Sequence, residues 1–284
     1  MRHLPTRTCT QIECSVVVLW LACATLAGLV QSARAQQGAD NTALALWHAQ
    51  AAEPAAHAQH ARAWLAFADG EAGALAPLAH TMAAWHLLRA ERPAEARALW
   101  ERYADADRAT GIARAAREIS RSWLTCLDRE TVVAALALYR RDALRYPADL
   151  ETLGAWAAKL PQPQHPVPTD RWGQPWNYQL EALRTMPQLE GQRYRLTSRA
   201  LGPLSLLRDA LALSHGERIT LRPVQIRQVP NRPPLVALMG PDGGAPALIQ
   251  VGSQHAGVGV VHLSPRIVVL HDRLHWKLSP TPGE

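Results

Sequence analysis

The stretch PTDRWGQPWNY, residues 168–178, places two tryptophans and a tyrosine among residues that usually form turns. Proline and glycine interrupt regular structure, and an aspartate can accept hydrogen bonds from the backbone of a tight turn. Large aromatic rings gain most when they are buried. We therefore predict a structural corner in which Gly173 adopts a conformation that suits glycine alone and Trp172 folds over the preceding helix near Leu138 or Tyr139. The alternative is a reactive or ligand-binding loop.

The residues before this corner predict two helices. Val132, Leu136 and Tyr139 recur at helical spacing, which favours a helix over about 128–145. Tyr146-Pro147 then ends that helix, because proline disfavours the helical conformation of the residue before it. A short helix follows, with Asp149 as its cap. The apolar positions of this short helix are Leu150, Leu153 and Trp156.

After the corner, two short runs of partly alternating character predict paired strands. They are WNYQLEAL and RYRLTSRAL, separated by a loop that contains Pro187 and Gly191. The proline-rich run LPQPQHPVP, 160–168, is predicted to be an extended connection into the corner. We assign residues 126–210 to one α+β module.

Residues 36–125 are rich in Ala, Leu, Arg and Glu, which favour helix. Apolar residues recur at helical spacing on either side of Arg92-Pro93, and Pro93 suits the first turn of a second helix. The segment is thus predicted to form helical hairpins, with a repeat-like character but no repeat in register. Four tryptophans are predicted to fill its core: Trp47, Trp64, Trp85 and Trp100.

Residues 211–284 change to a pattern of five or six short apolar strands separated by turn residues. One separator is Pro-Asp-Gly-Gly at 241–244, which is typical of a hairpin turn. We predict a small antiparallel sheet or barrel here. The fold class predicted for the whole chain is a multi-domain α+β protein made of helical hairpins, the α+β module and this small β-domain.

The N-terminal 35 residues have the pattern of a cleaved export signal. Arg2 and Arg7 precede the apolar run Ser15 to Val30, and Ala33-Arg34-Ala35 has the small-x-small pattern of a cleavage site. The run is shorter than the roughly 20 residues of a membrane-spanning helix. A retained anchor is the alternative, and it would be the chain's only contact with a membrane. The predicted location is the periplasm.

After removal of the export signal, the chain would have one cysteine and a small positive net charge. Without residues 1–35 only Cys126 remains, so an intramolecular disulfide is excluded. The remaining 27 basic and 23 acidic residues give a net charge of +4. They form no basic stripe with interleaved aromatic residues, which argues against nucleic acid as a partner.

The order and spacing of several residues within 138–198 match the pattern of a known protein family. These residues are Tyr139, Tyr146-Pro147, Asp170, Trp172, Gly173, Pro175 and Tyr178, followed by Tyr194, Leu196 and Ser198. In order and spacing this run resembles the globular part of the major pseudopilin of type II secretion systems, a family related to type IV pilins. The resemblance implies a helix, a Tyr-Pro turn, a short helix, a corner and a hairpin. Arg171 and Trp176 replace a proline and a tyrosine of the family's corner.

Two family features are missing from the sequence. The polymerising N-terminal helix is not attached directly to the module, because some 90 residues of helical character intervene. The glycine- and aspartate-rich calcium loop is replaced by SRALGPLSLL, 198–207. The resemblance therefore implies the surface-presenting fold but neither polymerisation nor calcium binding.

The C-terminal run 234–279 is more weakly similar to the small β-domains of secretion-platform and pilus-assembly proteins. Its matching positions are Ala247, Ile249, Val251-Gly252, Val260, Val261, Ile267, Val269 and Leu270. The resemblance implies docking onto other envelope subunits, often through exposed strand edges. The edge of this last sheet is therefore a predicted partner surface.

We predict no catalytic, cofactor-binding or metal-binding residues. His271 and His275 suggest a metal pair, but four residues along a strand span about 13 Å, so surface or cross-strand positions are favoured for them and for His255 and His262. An acid–base pair of Asp170 with Asp142 or Asp149 is less favoured than turn and cap roles. The named residues of the corner are predicted to be structural.

The sequence thus predicts a non-enzymatic, exported subunit or accessory of a type II secretion or type IV pilus-like machine. It would act by docking to protein subunits of that machine. The alternatives are a periplasmic helical-repeat adaptor unrelated to secretion and a periplasmic hydrolase.

Overall fold

The structure, a computed structural model, is a mixed α+β protein with about half of its residues in helices. It describes the backbone of residues 10–105, 111–160, 167–181 and 193–283, and the side chains of these ranges from residue 31 onward. The loop with Pro187 and Gly191 and most of the proline-rich connection lie outside the described residues. Across the described part, none of the helices combines the length and apolar character that crossing a bilayer requires.

Five helices form the first part of the chain. They are α1 (Thr10–Ala52), α2 (His57–Asp69), α3 (Ala76–Arg89), α4 (Pro93–Ala104) and α5 (Gly111–Ala143), with one 3₁₀ turn at Gly73–Leu75. The predicted hairpin is confirmed, since α4 begins at Pro93 and packs against α3. Trp64, Trp85 and Trp100 are buried and Trp47 packs beside them, so the prediction that tryptophans fill this core is also confirmed.

Helix α5 is a single 33-residue helix that connects the helical region to the α+β module. The predicted boundary at 126 and the predicted separate helix from about 128 both fall inside it. Ile119, Trp123 and Leu124 are buried in the core of the helical region, which we call the helical core. Further along, Val132 and Leu136 are buried in a second core. One face of α5 is apolar along the whole helix. The helix can therefore continue without a break from the helical core into the second core.

The second core, which we call the module core, is enclosed by the end of α5, helix α6 (Leu150–Ala157) and a hairpin. The hairpin consists of β1 (Asn177–Glu181) and β2 (Arg193–Thr197), antiparallel with Tyr178 opposite Leu196. This confirms the predicted strand pair. The buried residues of the module core are Val132, Ala135, Leu136, Leu153, Trp176 and Leu196.

The C-terminal part contains two short helices and seven strands in two antiparallel sheets. The helices are α7 (Leu207–Ala210) and α8 (His215–Arg218), and the strands are β3 (Arg222–Arg227), β4 (Leu235–Met239), β5 (Ala247–Gln250), β6 (Gln254–His255), β7 (Val258–Leu263), β8 (Ile267–His271) and β9 (Trp276–Pro280). One sheet has the order β3-β4-β5 and the other β6-β7-β8-β9. The predicted antiparallel arrangement is confirmed, with two sheets in place of one.

Strand β8 explains how these sheets join the rest of the protein. Val268 and Leu270 point into a core shared with the three-stranded sheet, whereas Ile267 and Val269 belong to the helical core. Successive side chains of a strand point to opposite faces, so a strand buried on both faces needs apolar residues at every position. Two hydrogen bonds reinforce this contact, from Trp123 Nε1 to the Leu274 carbonyl and from Trp276 Nε1 to Thr81 Oγ1.

Candidate functional site

The corner at 168–178 is organised by the carboxylate of Asp170, which is only 3% exposed. Its Oδ1 accepts hydrogen bonds from the backbone N–H groups of Trp172 and Gln174, both at 3.0 Å. Gly173 has φ +74°, and a Cβ added there would meet no atom within 4 Å. The glycine is therefore required by the backbone conformation and not by lack of space. These contacts confirm the predicted turn role of Asp170.

The same carboxylate ties the corner to the end of β2. Ser198 Oγ donates to Asp170 Oδ2 at 2.7 Å. The serine oxygen also accepts hydrogen bonds from the backbone N–H groups of Ala200 and Leu201. One buried pair thus fixes both the corner and the loop that follows the hairpin.

The tyrosines of the predicted motif lie in the wall of the module core. Tyr178 donates its hydroxyl hydrogen to the Pro147 carbonyl at 2.7 Å, and burial raises the pKa of this tyrosine. Tyr146 packs edge-on against Tyr194, and Tyr139 packs against Trp156. These contacts join α5, the Tyr-Pro turn, α6 and the hairpin, so the residues hold the module together.

The two aspartates considered as acid–base partners of Asp170 have separate structural contacts. Asp149 accepts the backbone N–H of Thr152 at the start of α6, as predicted for a cap. Asp142 accepts a hydrogen bond from Trp156 Nε1 at 2.9 Å. The three carboxylates are held by different partners and do not form a pair.

The prediction for Trp172 is wrong. Its ring is partly buried and packs against the helical core, not against Leu138 or Tyr139. The ring that enters the module core is Trp176, which is 4% exposed and donates from Nε1 to the Val167 carbonyl. Both rings flank the same turn, and the turn directs them to opposite sides.

Arg171, which replaces the family's proline, connects the corner to the helices. Its Nε lies 2.6 Å from Asp128 Oδ2, and Arg97 Nη1 lies 2.8 Å from Asp128 Oδ1. The side chain of Asp128 is 2% exposed, so two guanidinium groups neutralise one buried carboxylate. The sequence offered no signal for this network, because its members come from α4, α5 and the corner.

A groove of about 730 Å³ lies beside Trp172, between the first turns of α5, the loop after β2 and the four-stranded sheet. Arg114, Arg199 and Arg273 line it from these three parts of the chain, and all three side chains are exposed. The acidic residues of its lining are Glu118 and Asp272. The sequence analysis did not predict this groove.

Two residues of the groove lining, Gln254 and His271, lie on either side of Gly259 in the four-stranded sheet. Gly259 of β7 is paired with Gln254 of β6 and with His271 of β8. A Cβ at Gly259 would lie 2.5 Å from His271 Nε2 and 3.0 Å from Gln254 Cγ. Only glycine therefore lets the imidazole lie across the strand.

Of the two predicted alternatives, surface positions are wrong for His271 and His275, which are 5% and 1% exposed. His271 has the cross-strand position, since its ring lies against Gly259 of β7. His271 ends β8 and His275 precedes β9, so they flank a tight turn instead of occupying one strand. His215, His86 and Trp85 pack near His275 in a buried group of rings. Sequence spacing could not reveal this group, because its members lie on α3, on α8 and in the turn before β9. Among the described residues, His, Cys, Asp and Glu nowhere form a group of three suited to a metal ion.

The chemistry available at these places is binding and positioning. Burial raises the pKa of Cys126 to about 12, so this thiol remains protonated and unreactive at neutral pH. The corner is a hydrogen-bonded support, whereas the groove presents cationic and aromatic side chains to solvent.

No protein-family model, curated protein or solved structure matches this chain.

Proposed function

We propose that this chain is a non-enzymatic, exported subunit or accessory of a type II secretion or type IV pilus-like machine, and that it acts by docking to other subunits. The observation that carries the proposal is the order of elements in residues 132–198: the end of a long helix, a Tyr-Pro turn, a short capped helix, an Asp-centred corner and a hairpin around one core. That order is the one implied by the resemblance to the major pseudopilin.

The packing of α5 favours an accessory that does not polymerise. The half of α5 that precedes the module is buried among α3, α4 and the four-stranded sheet. Trp123 in this half stacks on Trp100 with ring centroids 5.5 Å apart. Because the apolar face of this half of α5 is buried within its own protein, it cannot pack against other copies.

Two of the four edge strands of the C-terminal sheets, β9 and β3, are poor docking surfaces. Strand β9 lies against α1 and α8, and the backbone N–H of Trp276 donates to His215 Nδ1 at 2.9 Å. Strand β3 contains Pro223 and a bulge, with Arg222 and Arg227 exposed. Proline, bulges and charged residues are features that block pairing at an edge. We therefore place the docking surface at the groove, which includes Gln254 of the edge strand β6, and not at the β9 or β3 edge.

A photo-crosslinking amino acid at Gln254, in the native host, tests this proposal. Gln254 is exposed and lines the groove. We expect it to crosslink to a pseudopilin or a secretion-platform subunit, identified by mass spectrometry. The matched control is the same amino acid at Gln225 on β3, which is expected to give no such product. Recovery of only proteins outside the envelope machine from Gln254 would overturn the proposal.

A periplasmic helical-repeat adaptor remains the second candidate because each of α2, α3 and α4 packs against the next helix along the chain. Such sequential packing is typical of repeat proteins, which bind partners along their helical surfaces. A crosslinker at the exposed Gln59 on α2 separates the two candidates. Products from Gln59 alone, with partners unrelated to secretion, would favour the adaptor.

A further inference from the structure

We propose that the groove beside Trp172 binds an acidic, extended peptide segment of a partner protein. The proposal rests on the docking function argued above and specifies the chemistry of the partner. Its basis is the convergence of three arginines, a partly exposed tryptophan and a nearly buried histidine on one cavity.

The charges around the groove are unbalanced. Glu118 lies 3.4 Å from Arg117, outside the set of groove arginines. Asp272 Oδ1 accepts the backbone N–H groups of Leu274 and His275, so it is engaged in its own turn. Both carboxylates of the lining therefore have other partners.

The groove arginines themselves lack acidic partners in the described ranges. Arg273 donates to the Ala200 carbonyl, and neither Arg114 nor Arg199 forms an ion pair with a described residue. Guanidinium groups hold carboxylates through two parallel hydrogen bonds. A cavity walled by several unpaired cations attracts and orients an anionic ligand.

His271 indicates that the ligand has a peptide backbone. Its Nδ1 lies 3.0 Å from the Asp272 carbonyl, so Nδ1 carries the hydrogen and Nε2 is an acceptor. No described residue donates to Nε2, although the side chain is 95% buried and lines the groove. An N–H group of an extended segment would satisfy this nitrogen. The close approach allowed by Gly259 keeps the ring in place on the sheet.

The size and the aromatic wall of the groove also favour a peptide over a small anion. A cavity of about 730 Å³ is in the range that accepts drug-sized molecules, far more than one phosphate requires. Trp172 offers an apolar surface beside the cations, which suits a side chain such as leucine within an acidic segment. The ligand is thus expected to be an acidic segment with apolar side chains placed between its carboxylates.

Fluorescence anisotropy of the full chain with the labelled peptide Asp-Glu-Leu-Asp-Glu-Leu tests the proposal. We expect saturable binding that weakens with salt, and binding at least tenfold weaker for Asn-Gln-Leu-Asn-Gln-Leu. Arg114→Glu and Arg199→Glu should each weaken the acidic peptide about tenfold or more. The control Arg208→Glu, at a side chain 91% exposed and outside the groove, should leave binding unchanged. Circular dichroism checks that each variant is folded.

Three outcomes would overturn the groove proposal: equal binding of the two peptides, unchanged binding in both arginine variants, and displacement of the peptide by equimolar inorganic phosphate, which would indicate a simple anion site. The Gln254 crosslink shows whether a negative result concerns the acidic ligand of the groove or the docking to a secretion subunit. A secretion subunit crosslinked without acidic-peptide binding would refute only the ligand chemistry. Acidic-peptide binding with no such subunit would refute only the secretion role.

Discussion

Lowering the pH from 7 to 5 is expected to reduce the free energy of unfolding by at least about 2 kcal/mol. The reason is a group of buried histidines that the fold keeps neutral. Burial, with smaller contributions from His57, His60 and Arg89, lowers the pKa of His86 to about 3. Burial and the neighbouring His275 lower the pKa of His215 well below its usual value.

The hydrogen bonds around His86 explain why protonation disrupts the fold. His86 Nε2 donates to Gln50 Oε1 at 2.9 Å, since that oxygen is an acceptor. His86 Nδ1 must then accept from His57 Nδ1 at 3.1 Å, and His57 Nε2 accepts from Arg89 Nε. In this series of hydrogen bonds, both imidazole rings are neutral and each has a fixed tautomer. A second proton on His86 would sit on Nδ1 and face the N–H of His57, so the hydrogen bond between these two rings would be lost.

The size and sign of the effect follow from proton uptake on unfolding. In the window between the lowered pKa of the folded state and about 6.5, the unfolded chain binds a proton that the folded chain does not. Stability is therefore full above pH 6.5 and is lost as the pH falls, by about 1.4 kcal/mol per pH unit for each histidine. For His86 a fall to pH 5 gives about 2 kcal/mol. The lowered pKa values of His215, His57 and His271 act in the same direction. The lowered pKa values of Asp40 and Asp272 reduce stability only as the pH falls to about 4 and lower, outside the range from 7 to 5.

Urea unfolding followed by circular dichroism at pH 7, 6 and 5 measures this loss. His86→Gln should remove about 2 kcal/mol of the pH dependence, whatever its effect on stability at pH 7. His255→Gln, at an exposed position, should leave the dependence unchanged. A free energy of unfolding that stays constant from pH 7 to 5 would contradict the account of the buried histidines.

Trp176→Ala is expected to destabilise the protein by about 3–5 kcal/mol, as for other buried tryptophans. The substitution empties the centre of the module core, where Trp176 packs with Leu136, Leu153 and Leu196. It also leaves the Val167 carbonyl without the hydrogen bond from the indole. Urea unfolding followed by circular dichroism measures the change, and hydrogen exchange in α6 and the hairpin should locate it in the module.

Two control variants test the division of roles between the corner's rings. Trp176→Phe keeps an aromatic ring in the core and loses the hydrogen bond, so it should cost roughly 1–2 kcal/mol. Trp172→Ala should also cost only roughly 1–2 kcal/mol, because its ring is partly exposed. A larger loss for Trp172→Ala than for Trp176→Ala would show that the wrong ring has been assigned to the module core.

Local patterns in the sequence were sufficient to predict most individual elements. Pro93 marked the start of α4, and Asp149 marked the start of α6, because the terminus of a helix has chemical requirements that one residue can meet. The turn role of Asp170 and the positive φ of Gly173 followed from the same kind of local rule. Alternating residues likewise predicted the hairpin and the C-terminal strands.

Features that depend on distant residues were not predictable in this way. Burial of His215 and His275 depends on Trp85 and Trp123, which come from α3 and α5. The groove joins side chains as far apart as Arg114 and Arg273. The side to which Trp172 points depends on where the corner meets the helical core, and no spacing within 168–178 specifies it.

A secretion assay in the native host tests whether the chain serves an envelope secretion or pilus-like machine, as proposed above. The gene would be deleted in the native host, and the amounts of secreted proteins and surface pilins would be compared with those of the parent strain. Secretion or piliation is expected to fall in the deletion strain. The wild-type gene is expected to restore it, whereas the gene with Arg114→Glu combined with Arg199→Glu is not. Unchanged secretion and piliation in the deletion strain would contradict the claim.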